Sequence, residues 1–233
     1  MAPEFGIIVF PGSNCDHDSY YALKHELGAK TRFIWHKEED IGRPDAIIIP
    51  GGFSYGDYLR SGAIARFSPV MNPVMAFAEN GGPVMGICNG FQVLLEAGLL
   101  PGTMLPNAHL RFSCKHVHLY CRNPNTMFSS RVDPERSLQL PIAHGDGNYY
   151  TTDEGLKKLY DRNQIVFQYA DEYLNISPDA NPNGSIDNIA GICNEQGNVL
   201  GLMPHPERAV DPALGSDDGR ALFESLLYEL AVA

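Results

Sequence analysis

An α/β fold, doubly wound around a mostly parallel sheet with antiparallel additions in its second half, is predicted by three observations. Short apolar runs of strand character alternate with helix-forming runs through the first hundred or so residues. Two of those runs, Ile47-Ile48-Ile49 and Val84-Met85-Gly86-Ile87, are unbroken, as strands covered on both faces must be. Beyond residue 113, strand-like segments succeed one another with few helices between them, the pattern of antiparallel pairing. With 233 residues, 44% of them hydrophobic, one domain over residues 1–233 with one large core is expected.

The first strand is read at 5–10, ending in Pro11-Gly12-Ser13-Asn14-Cys15-Asp16. Ser13 or Asn14 is expected to cap a helix whose first turn carries Asp16 and Asp18 and whose apolar positions include Tyr21, Ala22 and Leu27. Gly12, Ser13 and Asn14 also suit an anion-binding loop, but neither G-x-G-x-x-G nor G-x-x-x-x-G-K-[ST] is present, so capping is the preferred reading. Strands at 31–35 and 45–49 come next. The latter ends in Pro50-Gly51-Gly52-Phe53, where consecutive glycines let backbone N–H groups point into a cleft as oxyanion donors; the alternative is an ordinary glycine turn. Helical runs are read at 59–67 and 69–79.

The strand at 84–87 then runs directly into a helix-forming segment, with Gly86 and Gly90 two residues either side of Cys88. This is the spacing of a nucleophile elbow, since residues two before and two after a strained strand-to-helix turn must be small for the chain to pass. The turn exposes its side chain at the carboxyl end of the strand, at a helix N-terminus that favours a thiolate. A buried structural cysteine is the alternative.

In the second half, strands are read at 113–120, 138–143, 165–169, 189–193 and 199–203, with an exposed, mobile loop at 177–187 and a closing amphipathic helix at 217–230. Cys114, His116 and His118 share one face of their strand, but no second ligand pair stands at zinc-like spacing, so no metal site is expected. After the last strand comes Pro204-His205-Pro206-Glu207-Arg208. A histidine and a carboxylate two apart on a proline-flanked segment can lie side by side, leaving the second ring nitrogen free to exchange a proton with a thiol.

Several classes are excluded. A formal charge of −11, with seventeen Lys and Arg forming no cluster, argues against nucleic-acid binding. No apolar run approaches the ~18 residues of a membrane span, and Met1-Ala2-Pro3-Glu4-Phe5 lacks the regions of a signal peptide, so a cytoplasmic protein is expected. Five scattered cysteines suit reduced thiols.

The stretches at 86–92 (GICNGFQ), 50–65 (PGGFSYGDYLRSGAIA), 204–208 (PHPER), 12–19 (GSNCDHDS) and 143–149 (AHGDGNY) resemble the class I glutamine amidotransferases, a family of flavodoxin-like fold. The continuation FSYGDYLRSGAIA and GSNCDHDS are similar to one subfamily, which serves purine biosynthesis. The resemblance implies a glutaminase with Cys88 as the nucleophile on the side-chain amide of glutamine, His205 as the proton carrier and Glu207 as its orienting partner. It implies an oxyanion hole from Asn89 and the Gly52–Phe53 segment, and contact with the amino-acid end of glutamine by Gln92, His144, Gly145 and Asp146. No cofactor is expected in this chain. Because it lacks a phosphate-binding loop, ammonia is expected to pass to a separate synthetase that uses ATP and Mg to convert formylglycinamide ribonucleotide to its amidine, assembled with a small third subunit. Alone, the chain is expected to be a poor glutaminase. Another cysteine hydrolase, or a glutamine sensor without turnover, are the competing readings.

Overall fold

The structure is a computed structural model and describes residues 3–232. The chain opens with β1 (Glu4–Val9), whose central residues are buried on both faces, and helix α1 (Asp16–Tyr21), which widens into a π turn at Ala22–Glu26. It continues through β2 (Lys30–Trp35), β3 (Ala46–Ile49), α2 (Met71–Glu79), β4 (Val84–Ile87) and α3 (Asn89–Glu96). The second half comprises β5 (Thr103–Leu105), β6 (Ser113–Cys121), β7 (Leu138–His144), β8 (Asn148–Tyr150), α4 (Asp153–Asp161), β9 (Ile165–Ala170), β10 (Ile189–Cys193), β11 (Val199–Leu202) and α5 (Arg220–Val232). Among the described residues, nine strands form one sheet in the order β2-β1-β3-β4-β11-β10-β9-β6-β7, and β5 pairs with β8 separately. No helix of the described residues is long and apolar enough to cross a membrane.

The order of the sheet decides where the chemistry sits. The five strands from β2 to β11 are mutually parallel, and antiparallel pairing begins only between β11 and β10. The strand at 199–202 is therefore a parallel neighbour of β4, in register from Val199 with Val84 to Leu202 with Ile87. Adjacent parallel strands lie roughly 4.8 Å apart, so the residues after Ile87 and those after Leu202 emerge side by side at the carboxyl ends, where open α/β sheets bind ligands.

Other expectations are corrected. Neither Ser13 nor Asn14 caps α1: the N-cap is Cys15 without a side-chain cap bond, while Ser13 Oγ donates to Gly51 O at 3.3 Å. Tyr21 is 49% exposed, off the apolar face on which Ala22 is buried. Residues 59–67 form turns and a single 3-10 turn rather than a helix, because Leu59 and Gly62 take φ values of +73° and +78° where the chain rests on α3. A Cβ on Gly62 would stand 2.7 Å from Val93 N, too close to be accommodated. The 177–187 loop is not exposed throughout: Asn183 and Ser185 are buried, and both donate to Gly147 O, at 2.7 and 3.1 Å. Helix α4, capped by Thr152 Oγ1 accepting from Gly155 N–H, and the short pair β5–β8 escape the sequence reading. Cys114 and His116 stand on the exposed face of β6, and His118 Nδ1 pairs with Ser137 Oγ at 3.1 Å.

Candidate active site

Cys88 sits between β4 and α3 at φ +50°, ψ −105°, a backbone conformation that a non-glycine residue occupies only under strain. The glycine spacing has the predicted cause. A Cβ on Gly90 would lie 1.9 Å from Ile49 O, and one on Gly86 would lie 2.5 Å from Leu94 Cδ1 and 2.7 Å from Gly90 O. The Cys88 N–H donates to Leu202 O at 2.8 Å, fixing the elbow to β11, and its thiol faces Ala143 O at 3.8 Å. Helix α3 then buries every residue from Asn89 to Leu95 and stops at Gly98, whose φ of +74° closes the last turn.

Three residues beyond β11, His205 is held by its N–H to Pro141 O at 2.9 Å, so β7 curls over the site although it lies at the far end of the sheet. His205 Nδ1 and Glu207 Oε1 are 2.6 Å apart, and both side chains are buried. Burial opposes a charge on this imidazole, but the Glu207 carboxylate, with the sulfurs of Cys88 and Cys15 close by, holds its pKa well above the ordinary histidine value. The bond to Glu207 fixes which nitrogen is engaged and leaves Nε2 buried without a partner. Gly51 must be small here, since a Cβ would stand 2.7 Å from His205 Cε1 and 3.2 Å from Cys15 Sγ.

Of the oxyanion candidates, Asn89 opens α3, so its N–H has no intrahelical acceptor. The Gly52–Phe53 expectation is halved. Phe53 N–H donates to Gly12 O at 3.2 Å, whereas among the described residues no backbone bond engages the N–H of Gly52, at φ +130°.

The elbow cysteine opens onto a cavity of about 240 Å³ shared by Gly52, Phe53, Asp57, Ser61, Gln92, Phe112, Ala143, His144, Gly145 and Asp146. All four predicted substrate residues are therefore beside Cys88, but Gln92 is engaged within the scaffold. Its Nε2 donates to Asp146 O at 2.6 Å and its Oε1 accepts from Asn89 Nδ2 at 2.8 Å. Asn89 also donates to Asp57 Oδ1 at 3.0 Å and accepts the Ser54 N–H at 3.0 Å, so one helix turn ties both flanking loops to the elbow. His144 is buried, its Nδ1 3.0 Å from Asn107 Oδ1, and burial pulls its pKa down to about 4. Gly147 packs flat against that ring, where a Cβ would come within 2.2 Å, which explains the spacing in AHGDG.

Sequence reasoning passed over Asp57, Ser61, Asn107 and the pair Cys15–Arg208. Asp57, Ser61, Cys15 and Arg208 lie inside quoted motifs and Asn107 lies in none, and only the folded chain brings them to the site. Among the described residues, Cys15, His205 and Glu207 can bring three metal-ligating atoms within 4.8 Å of one another; the Arg208 guanidinium, with Nη2 3.2 Å from Cys15 Sγ, opposes a second cation there.

Comparison with known proteins agrees with this geometry. A family model of the CobB/CobQ-like glutamine amidotransferase domain matches residues 2–220. The chain is 52% identical over 232 residues to the phosphoribosylformylglycinamidine synthase subunit PurQ of Salinibacter ruber, covering all of this chain and 99% of that protein. It is 55% identical over 228 residues to the subunit of the same name from Chlorobaculum tepidum, covering 98% and 97% of the two chains. Among solved structures, a chain of the PurLQS structure from Thermotoga maritima superposes with a TM-score of 0.86 at 41% identity, covering 99% of this chain and 100% of that one.

Proposed function

Since this chain belongs to the CobB/CobQ-like glutamine amidotransferase family, we infer that it is the glutaminase subunit of phosphoribosylformylglycinamidine synthase in purine biosynthesis, and that its site works through Cys88, His205 and Glu207. The subunit hydrolyses glutamine and acts in a complex with a synthetase subunit. The observation that carries the residue assignment is the free Nε2 of a Glu207-bound imidazole beside a cysteine on a strained elbow.

In this reading Cys88 Sγ attacks the side-chain amide carbon of glutamine, and a C–S bond forms as the carbonyl oxygen takes up negative charge. The N–H groups of Asn89 and Gly52 hold that oxygen, each contributing roughly 3 kcal/mol to the barrier reduction. His205 Nε2 carries the thiol proton to the leaving nitrogen, so ammonia departs and a γ-glutamyl thioester remains. Water, deprotonated through the same nitrogen, releases glutamate and restores the thiol. Glu207 keeps the imidazolium favourable throughout. The partner synthetase would supply ATP and Mg for activating formylglycinamide ribonucleotide, a small third subunit would complete the assembly, and the complex would work in the cytoplasm.

The test is transfer of nitrogen. Given glutamine labelled with ¹⁵N in its amide, the complex should place the label in the amidine product, and Cys88→Ala should abolish transfer while added ammonium salt still supports product. Transfer from glutamine that survives Cys88→Ala would overturn the assignment in favour of a sensor or scaffold.

A further inference from the structure

The loop that follows β3 brings Gly52 and Asp57 to the cavity beside Cys88. It reaches that place through unfavourable backbone. Tyr55, Asp57 and Leu59 take φ values of +55°, +53° and +73°, and a bulky aromatic residue is an outlier in the left-handed region. Burial, helped by Asp146 nearby, pushes the Asp57 pKa up to about 6 against the bond from Asn89. A segment this costly persists only where contacts outside it over-determine its conformation.

The inner end of the loop is held by Asn89, which accepts the Ser54 N–H and donates to Asp57. The outer end is held by groups that the thiol chemistry does not use. Tyr55 Oη lies 2.7 Å from His36 Nδ1 and 2.7 Å from Ser68 Oγ. A phenol has one proton to give, so it donates to one of these partners and accepts from the other. Both partners are buried and are themselves fixed by the backbone. The His36 N–H donates to Val9 O at 3.0 Å, His36 O accepts the Val70 N–H at 3.1 Å, and Ser68 O accepts the Met71 N–H at 2.9 Å. The imidazole also stands edge-on to the phenol ring, with centroids 5.5 Å apart. Tyr55 thus ties the loop to the end of β2 and to the entry of α2, and none of the three side chains lines the cavity.

Resting on the glutaminase reading of this site, we propose that Tyr55, His36 and Ser68 are positioning residues for the oxyanion hole: their three-membered tie holds the left-handed turn at Tyr55 and, through it, the Gly52 N–H where the tetrahedral oxygen forms. Released from the tie, the loop relaxes toward ordinary backbone. Gly52, at φ +130° and without a Cβ, is the residue freest to rotate and carry its N–H away. Cys88 and His205 keep their places, because they follow β4 and β11 rather than this loop.

Tyr55→Phe tests this in the assembled complex, since it keeps the ring packed beside Phe10 and removes only the hydroxyl. Glutamine-dependent kcat should fall about 10-fold or more with KM for glutamine changed less than about threefold, the signature of an interaction made only in the transition state. Alkylation of the Cys88 peptide by iodoacetamide develops no oxyanion, and its rate should stay within about twofold of wild type. Product formation from added ammonium salt should be unchanged, which also checks folding and assembly. His36→Leu should behave like Tyr55→Phe, whereas His36→Asn, whose amide can donate or accept near the place of Nδ1, should keep about a third or more of wild-type kcat. Glutamine turnover within about threefold of wild type in both Tyr55→Phe and His36→Leu overturns the proposal, and so does a loss that alkylation of Cys88 shares in full. Either result leaves the glutaminase reading intact. Failure of the wild-type complex to hydrolyse glutamine overturns both.

Discussion

Arg208 Nη2 lies 3.2 Å from Cys15 Sγ, and Nε of the same guanidinium donates to Asp18 Oδ2 at 2.9 Å, so the turn that carries Glu207 is tied to the first turn of α1. The two most distant motifs of the chain meet in one fork of hydrogen bonds. The pair is half-exposed, so its worth to stability is under about 1 kcal/mol. Its worth to turnover is larger, because small displacements of a catalytic group are costly. Asp18→Asn should lower kcat about tenfold with the melting temperature nearly unchanged. Unaltered kcat would mean that Glu207 is held without this fork.

Glycine positions separate folding from chemistry. Gly90→Ala drives a Cβ into Ile49 O at 1.9 Å, with backbone on both sides of the clash, and should cost about 3 kcal/mol or prevent folding. Gly51→Ala meets the edge of the His205 ring at 2.7 Å instead. There the imidazole can give way, so the protein should fold and lose about 100-fold or more in turnover. Denaturant unfolding and turnover, measured on both, check the contrast; a Gly51→Ala protein of normal activity would contradict it.

The elbow and the histidine–glutamate pair were legible because each is a local pattern with a steric or hydrogen-bonding cause: Gly86 and Gly90 around Cys88, two-residue spacing between His205 and Glu207. That they meet depends on β11 lying parallel beside β4, a pairing across more than a hundred residues that no local pattern carries. The helix expected at 59–67 failed for a similar reason. Its residues suit a helix, but Gly62 must approach α3 within van der Waals distance, and the loop takes left-handed turns to do so. Asp57 was hidden in the same way, since its place beside Asp146 depends on those turns. Ser13 and Asn14 look like caps but are drawn off, Ser13 to Gly51 O and Asn14 to the Cys15 thiol.

Glu207→Gln isolates the charge on the third residue. The amide oxygen keeps the bond to His205 Nδ1 but no longer favours an imidazolium, so kcat should fall about 100-fold or more. The effect on stability has a definite sign. A histidine whose folded pKa is raised contributes stability fully below its unfolded value of 6.5, and loses it as pH rises through the folded value. The variant should therefore be less stable than wild type at pH about 6, with the difference shrinking as pH rises through the raised folded value. A difference independent of pH would remove the charge from the explanation.

Asp57→Asn should raise stability above the pH window in which Asp57 ionises. The folded pKa of about 6 exceeds the ordinary aspartate value of 3.8, so wild type loses stability as pH rises through that window and does not regain it above. The variant has no such loss. Its melting temperature should exceed that of wild type by roughly 2–4 °C at pH 8, and match it near pH 4. A variant less stable than wild type at pH 8 would mean that burial of the Asp57 carboxylate is offset by contacts that the asparagine cannot make.

The identity of the acylated residue tests the catalytic assignment most directly. The complex should be mixed with L-glutamine, quenched in acid within one turnover and digested, and the peptides weighed. One γ-glutamyl thioester is expected, on the peptide that holds Cys88, absent in Cys88→Ala and accumulating when His205 is replaced by a residue that slows its hydrolysis more than its formation. An adduct on Cys15, the other thiol beside His205, or turnover of glutamine with no acyl-enzyme on Cys88 under any quench, would contradict it.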